Sequence, residues 1–323
     1  MALSYEFSIG SVRAKEKSLF SGSDIEQLLA CKSTDELCRL LNDKGYGQGN
    51  TIDEIISSHS NDIWDYLKSI APDFEIFSPF IIQNDIHNLK VVLKGIMADR
   101  RYDDLIIKPY TIESEILKNA VENRKFSLLP EWLSKPADEA YEVLAHTGDA
   151  RMSDAILDTA IMQRILELSV KFKSEFLKNY FNTLVFYNNI KIAIRSSRTG
   201  TSKDYLLKAL CEVDEFRKSA VISSALKGSD YLLDELAKYS EYDCKTAIEE
   251  YKNSPSAFER FVDNKLIKMA KESCKRVSEG AEPLLGYYLG AEAEKKVIHI
   301  IASGIKTNTD TDIIRERLRE IYG

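Results

Sequence analysis

Asn189-Ile190-Lys191-Ile192-Ala193-Ile194-Arg195 is one of three related stretches in this chain. Asn88-Leu89-Lys90-Val91-Val92-Leu93-Lys94 comes before it, and Glu294-Lys295-Lys296-Val297-Ile298-His299-Ile300 after it. Lys191 lies 101 residues beyond Lys90, and Lys296 lies 105 beyond Lys191. A second pattern keeps the register: Asp158-Thr159-Ala160-Ile161-Met162-Gln163-Arg164-Ile165 resembles Asp263-Asn264-Lys265-Leu266-Ile267-Lys268-Met269-Ala270, again 105 residues on. Two motifs at one spacing argue for a duplicated structural unit. The unit is domain-sized, well beyond the roughly 20 to 50 residues of common solenoid repeats. The expectation is three similar helical lobes, spanning 1–112, 113–213 and 214–323.

Around these stretches the apolar residues recur at helical spacing. Ile86, Leu89, Val92, Leu93 and Ile96 share one face of a helix expected over Asn84–Met97, with Gly95 marking close packing or fraying. From Ser153, a good N-cap, to Ser196 there is neither Pro nor Gly, and apolar residues recur every three or four positions; this predicts one long helix. Pro255 is expected to precede a third long helix and Pro283 to interrupt it, while Pro72 and Pro79 are expected to stop earlier helices. Shorter helices are expected near the N-terminus, after Ser21 and after Ser33 or Thr34, and over 111–123, 137–145 and around Ile313-Ile314. The long helices should end in polar loops at 98–101, 196–202 and 303–309. Strand-like alternation is not sustained anywhere, so the fold class is all-α.

Composition limits the functions available. Hydrophobic residues make up 44% and charged residues 29%, as in folded soluble proteins. The formal charge is −7 and the basic residues are dispersed, which argues against nucleic acid or anionic lipid as the main partner. Five cysteines form no CxxC pair and read as reduced, small apolar residues. No apolar run reaches the roughly 18 to 20 residues needed to span a bilayer, and Met1-Ala2-Leu3-Ser4-Tyr5-Glu6 lacks a signal-sequence pattern.

Catalytic constellations are not found. His59, His87, His146 and His299 are isolated, and His299, on a mostly apolar helix, reads as a hydrogen-bonded core imidazole. Gly45-Tyr46-Gly47-Gln48-Gly49 lacks the Gly-Lys-Ser/Thr of a phosphate loop and reads as an inter-helix connection. Asp103-Asp104 could open a magnesium-binding acidic motif, but Leu105-Ile106-Ile107 supplies no third carboxylate, so a solvated helix start is expected. Gly286 and Gly290 point to close helix packing. Lys90, Lys191 and Lys296 are expected to lay their stems over apolar surface with the ammonium in water.

Tyr287-Tyr288, Glu292, Glu294-Lys295-Lys296, Ile300-Ile301, Gly304-Ile305-Lys306, Ile314-Arg315-Glu316-Arg317-Leu318 and Tyr322 resemble the ending of the C subunits of A-type and prokaryotic V-type rotary ATPases, relatives of the eukaryotic subunit d. Tyr5, Val12-Arg13-Ala14, Glu16 and Asn88-Leu89-Lys90 are similar to the same family. The resemblance implies a funnel-like, pseudo-threefold helical socket with no catalytic residue, cofactor or metal. It implies a non-catalytic rotor subunit on the cytoplasmic face of the membrane, peripheral and held by protein contacts, joining central-stalk subunits to the membrane rotor ring and transmitting torque. The loops near Arg100, Arg198 and Lys306 are then candidate contact points. A helical scaffold docking other proteins is the alternative, and an all-α enzyme would need a pocket of convergent carboxylates or histidines.

Overall fold

The structure, a computed structural model, describes residues 4–323 apart from the Glu241 side chain. The Met1-Ala2-Leu3 part of the signal-sequence reading lies outside the described residues. Every regular element among the described residues is helical. In chain order the α-helices are α1 (Tyr5–Lys15), α2 (Gly22–Ala30), α3 (Thr34–Asp43), α4 (Ile52–Ile70), α5 (Ser78–Met97), α6 (Ser114–Glu122), α7 (Glu131–Thr147) and α8 (Ala150–Lys171). They continue as α9 (Glu175–Thr199), α10 (Lys203–Ala209), α11 (Lys218–Lys227), α12 (Ser229–Leu236), α13 (Cys244–Asn253), α14 (Pro255–Cys274), α15 (Glu282–Lys306) and α16 (Thr311–Arg317).

The chain forms two compact units. One is the chain up to Ile76 together with Thr246–Gly323; the other is Phe77–Lys245. In the first, α15 is the hub, packed against α1, α2, α3, α4, α14 and α16. Its first half is buried on nearly all sides, from Pro283 to Ala291, and its second half only along the stripe of Val297, Ile298 and Ile301. Glycines let neighbours approach: a Cβ on Gly286 would lie 2.6 Å from Cys274 Cβ, and one on Gly290 would lie 2.8 Å from Tyr322 Cβ. Tyr322 is buried in the space these glycines leave. Arg13 donates to the carbonyls of Cys274 and Val277 while pairing with Glu16, which ties α1 to the end of α14. In the second unit, α8 packs against α5, α7, α9 and α10, and α9 against α11 and α12.

Local chemistry sets most helix starts. The side chains of Ser4, Ser21, Ser33, Thr51, Asp149, Ser174, Ser202 and Ser254 each accept a backbone N–H from the first turn of the helix that follows. Several expectations are corrected here. The stretch from Ser153 to Ser196 is two helices, because Lys173 turns left-handed at φ +54° and Ser174 caps a new start. Asp149, not Ser153, caps α8; Ser153 is buried one turn inside it. Pro79 and Pro283 begin α5 and α15 instead of stopping or interrupting helices, since proline costs nothing in a first turn whose N–H groups have no helical partner. Pro136 sits inside α7, which starts at Glu131, earlier than expected. Burial of Leu133 outweighs the helical bond that proline removes.

The three related stretches share a polar device. Asn88 Nδ2 donates to the carbonyl of Ile107 at 3.0 Å, and the Ile107 N–H donates back to Asn88 Oδ1 at 2.9 Å. Asn189 does the same to Cys211, at 2.8 and 3.0 Å. Glu294, at the same position in the third stretch, accepts the N–H of Phe20. All three side chains are at most 1% exposed. Each pins a non-helical segment to the long helix that carries it.

The long helices also stop alike. Asp99, Gly200 and Asn308 are left-handed, and the next residue donates back five positions: Arg100 to Gly95, Thr201 to Ser196 and Thr309 to Gly304. Gly95 is inside α5 because the Tyr102 ring lies against it, and Gly304 likewise meets Ile314.

Two expectations follow. Asn189→Ala leaves the buried N–H and C=O of Cys211 unpaired, at about 1–3 kcal/mol for each group, so its denaturant midpoint falls clearly, unlike that of an exposed Asn→Ala control; equal midpoints would assign the clamp no energetic role. Gly290→Ala drives a methyl into Tyr322 and destabilises by about 1–3 kcal/mol, which Tyr322→Ala in the same chain partly relieves in a double-mutant cycle.

Candidate partner-binding surfaces

No group of His, Cys, Asp and Glu able to hold a metal ion occurs among the described residues. The histidines serve separate local ends. His59 stacks on Tyr46 and burial pushes its pKa down to about 4. His87 Nε2 lies 3.1 Å from the carbonyl of Leu105, and His146 is exposed beside Glu142. His299 is exposed, which corrects the core reading: it stands on the open side of α15, past the point where that helix is buried all round. All five cysteines are buried thiols, and burial pushes Cys211 up to about 12, far from a reactive thiolate.

The glycine-rich stretch is a tight connection between α3 and α4. A Cβ on Gly49 would lie 2.6 Å from Glu54 Cβ and 2.8 Å from the Ile55 nitrogen, so the loop lies directly on the first turn of α4. Tyr46 points inward between Phe20 and His59. Asp103 and Asp104 open a short 3-10 turn, exposed and beside Arg101.

Lys90 and Lys296 both stand in ion pairs. Lys90 meets Asp158 at 2.6 Å and Lys296 meets Asp263 at 2.5 Å, with Asp263 also accepting from Arg319 at 2.9 Å. Both ammonium groups are in ion pairs that the sequence spacing does not show, while the Lys296 side chain stays 54% exposed. Asp158 and Asp263 are the opening residues of the second repeated motif, so the two motifs that share a period are joined to each other's helices.

The segments after the long helices carry exposed basic and apolar side chains. Arg100, Arg198 and Lys306 are all exposed at those helix ends. Beyond each end stands at least one large apolar side chain in water: Leu105 (58% exposed) and Ile107 after α5, Leu207 after α9, and Ile313 after α15. The first of these segments is held along its length by one face of α5. Asn84 donates to the carbonyl of Pro109, Asp85 accepts from the N–H groups of Thr111 and Ile112, and Asn88 grips Ile107. Its backbone groups are thus satisfied inward while Leu105 and Ile107 face out, an arrangement that loses little entropy on docking. In the sequence the signal of this segment is the apolar triplet 105–107 between an acidic pair and Lys108-Pro109.

In the first unit an open groove of about 790 Å³ lies where the N-terminal turns of α3 and α4 meet the last turns of α15. Its floor includes Cys38, Ile52, Ala302 and Ile305, and its rim Lys32, Asp35, Asp53, His299 and Lys306. Two cations face two carboxylates there, and a single imidazole, so the groove lacks the convergent acid–base groups of an enzyme pocket.

The described residues contain no helix long and apolar enough to cross a membrane. The family model described as ATP synthase (C/AC39) subunit matches residues 8–317. The C subunit of the V-type sodium ATPase of Enterococcus hirae is 22% identical over 321 residues, covering 96% of this chain and 97% of its own. The C subunit of the A-type ATP synthase of Methanocaldococcus jannaschii is 22% identical, covering 97% and 86%. The C subunit of the V-type ATP synthase of Thermus thermophilus is also 22% identical, covering 73% and 76%. With a match from α1 to the end of α16, the chain belongs to the ATP synthase (C/AC39) subunit family, the non-catalytic C subunits of rotary ATPases.

Proposed function

We propose that this protein is a rotor socket of a V-type or A-type ATPase: it joins the central stalk to the membrane ion-translocating ring and passes torque between ATP turnover and ion transport. The observation that carries the reading is the family match over residues 8–317, nearly the whole chain. Its seat is the cytoplasmic face of the membrane, reached through protein contacts. Its three lobes, 1–112, 113–213 and 214–323, stand about a pseudo-threefold axis as a funnel. The repeated clamps at Asn88, Asn189 and Glu294 and the matching helix stops support one module used three times.

A torque-bearing part must not deform under load. Close-packed helices are stiff, and segments whose backbone bonds are already made hold their side chains in place. The Arg100, Arg198 and Lys306 helix ends, with Leu105, Ile107, Leu207 and Ile313, are the contact points in this reading, and the oppositely charged surfaces of stalk or ring are what the basic ends would meet.

An affinity-tagged chain expressed in its own host and recovered from solubilised membranes is expected to bring down catalytic-head, stalk and ring subunits, identified by mass spectrometry. Recovery of unrelated soluble partners without them would overturn the reading. Membranes lacking the protein are expected to keep ATP hydrolysis in the detached head while ATP-driven ion uptake is lost. The triple variant Arg100→Glu, Arg198→Glu, Lys306→Glu should keep its thermal midpoint, since exposed substitutions shift stability by about 0.5 kcal/mol or less, yet lose most of the co-purifying complex; undiminished recovery would move the contacts elsewhere.

A further inference from the structure

Glu294 stands where the other two stretches have asparagine, and an ionised carboxylate cannot do what those amides do. Asn88 and Asn189 each accept an N–H on the side-chain oxygen and donate from the side-chain nitrogen to the carbonyl of the same residue. Glu294 Oε1 takes the N–H of Phe20, so the acceptor half of the device is present. A carboxylate has only acceptors, whereas a carboxylic acid has one donor as well. The clamp also differs in reach: its partner is 274 positions away in sequence, against 19 and 22 for the asparagines, and it fastens the segment between α1 and α2 to α15.

The surroundings favour the uncharged form. Glu294 is 1% exposed. The nearest cations on its helix are engaged elsewhere: Lys295 pairs with Glu292 and donates to Ser60, and Lys296 pairs with Asp263. From α2, Asp24 adds negative charge, although Lys44 holds that carboxylate down at about 2. From the α3–α4 loop comes the buried phenol of Tyr46, from α15 itself that of Tyr287, and from α4 the neutral ring of His59. Burial, with Asp24 adding to it, pushes the Glu294 carboxyl up to about 8 against the relief given by the Phe20 N–H.

We propose that Glu294 is carried as the neutral acid at neutral pH, standing in for the asparagine of the repeat, and that its ionisation loosens the attachment of the Phe20 segment to α15. As a neutral acid the side chain carries one donor beside its acceptors, the complement that an amide has. The folded-state pKa lies above the unfolded one, near 4.5, so the contribution is whole below about 4.5 and is lost as pH rises toward 8. Across that window the folding equilibrium constant falls about tenfold per pH unit relative to a chain without this group.

The test compares the full chain with Glu294→Gln, which keeps one acceptor and one donor without a titrating proton. The variant's denaturant midpoint should gain steadily on the wild type from pH 5 to 8 and run parallel above. Amide exchange at Phe20, corrected for base catalysis, should accelerate above pH 8 in the wild type alone. Parallel midpoints from pH 5 to 8 would overturn the proposal. Should the glutamine chain not fold, infrared difference spectra of the wild type decide: a protonated-carboxyl carbonyl band lost between pH 7 and 9 is expected, and its absence at pH 7 rejects a neutral Glu294.

Discussion

A buried side chain on a long helix that holds the backbone of a distant or following segment is the contact on which this fold depends. Helix packing alone leaves the segments 98–113 and 200–217 with backbone groups that must find partners once buried. Asn88 and Asn189 satisfy a donor and an acceptor on one residue each and so fix where the chain goes after a long helix ends. Apolar contacts could not do this, because they lack direction. The device is expensive to break, since removing the amide orphans two buried groups together. It is therefore a strong constraint on path and a weak one on overall hydrophobicity.

Around these clamps the remaining architecture is built to stay in one arrangement. α15 is buried on nearly every side in its first half, and its glycines admit Cys274 and Tyr322 instead of leaving slack. Arg13 adds two hydrogen bonds between α1 and the end of α14, a partly buried network whose charge is compensated by Glu16. The residues on which the family resemblance rested, Val12, Arg13, Glu16, Tyr287 and Tyr322 among them, are mostly these packing and bonding positions. That is why they report a fold and a family and carry no chemistry of their own.

Much of this was legible in the sequence, for physical reasons. Helical periodicity and the Ser and Asp caps are local, and they placed the helices around α2, α3 and α5 and the polar loops that end the three long helices. The related positions Asn88, Asn189 and Glu294 were legible because each is a buried position on a long helix. What failed was punctuation. By spacing Pro79 reads as a stop and Pro283 as an interruption although a first turn welcomes both, and the break at Lys173 carries no Gly or Pro because a lysine takes the left-handed conformation. Pairings between distant residues, such as Lys90 with Asp158, left no local trace, and the exposure of His299 depended on how far along α15 its neighbours extend.

The first half of α15 is enclosed by its neighbours, and only its later turns and the segment beyond them reach solvent. Loops carry binding in many proteins at the cost of ordering on contact. That ordering is already done at 105–112, where four side chains of α5 hold the backbone and Leu105, Ile107, Lys108 and Thr111 are exposed. Such a segment, fixed by buried hydrogen bonds, keeps its place without a single reactive group.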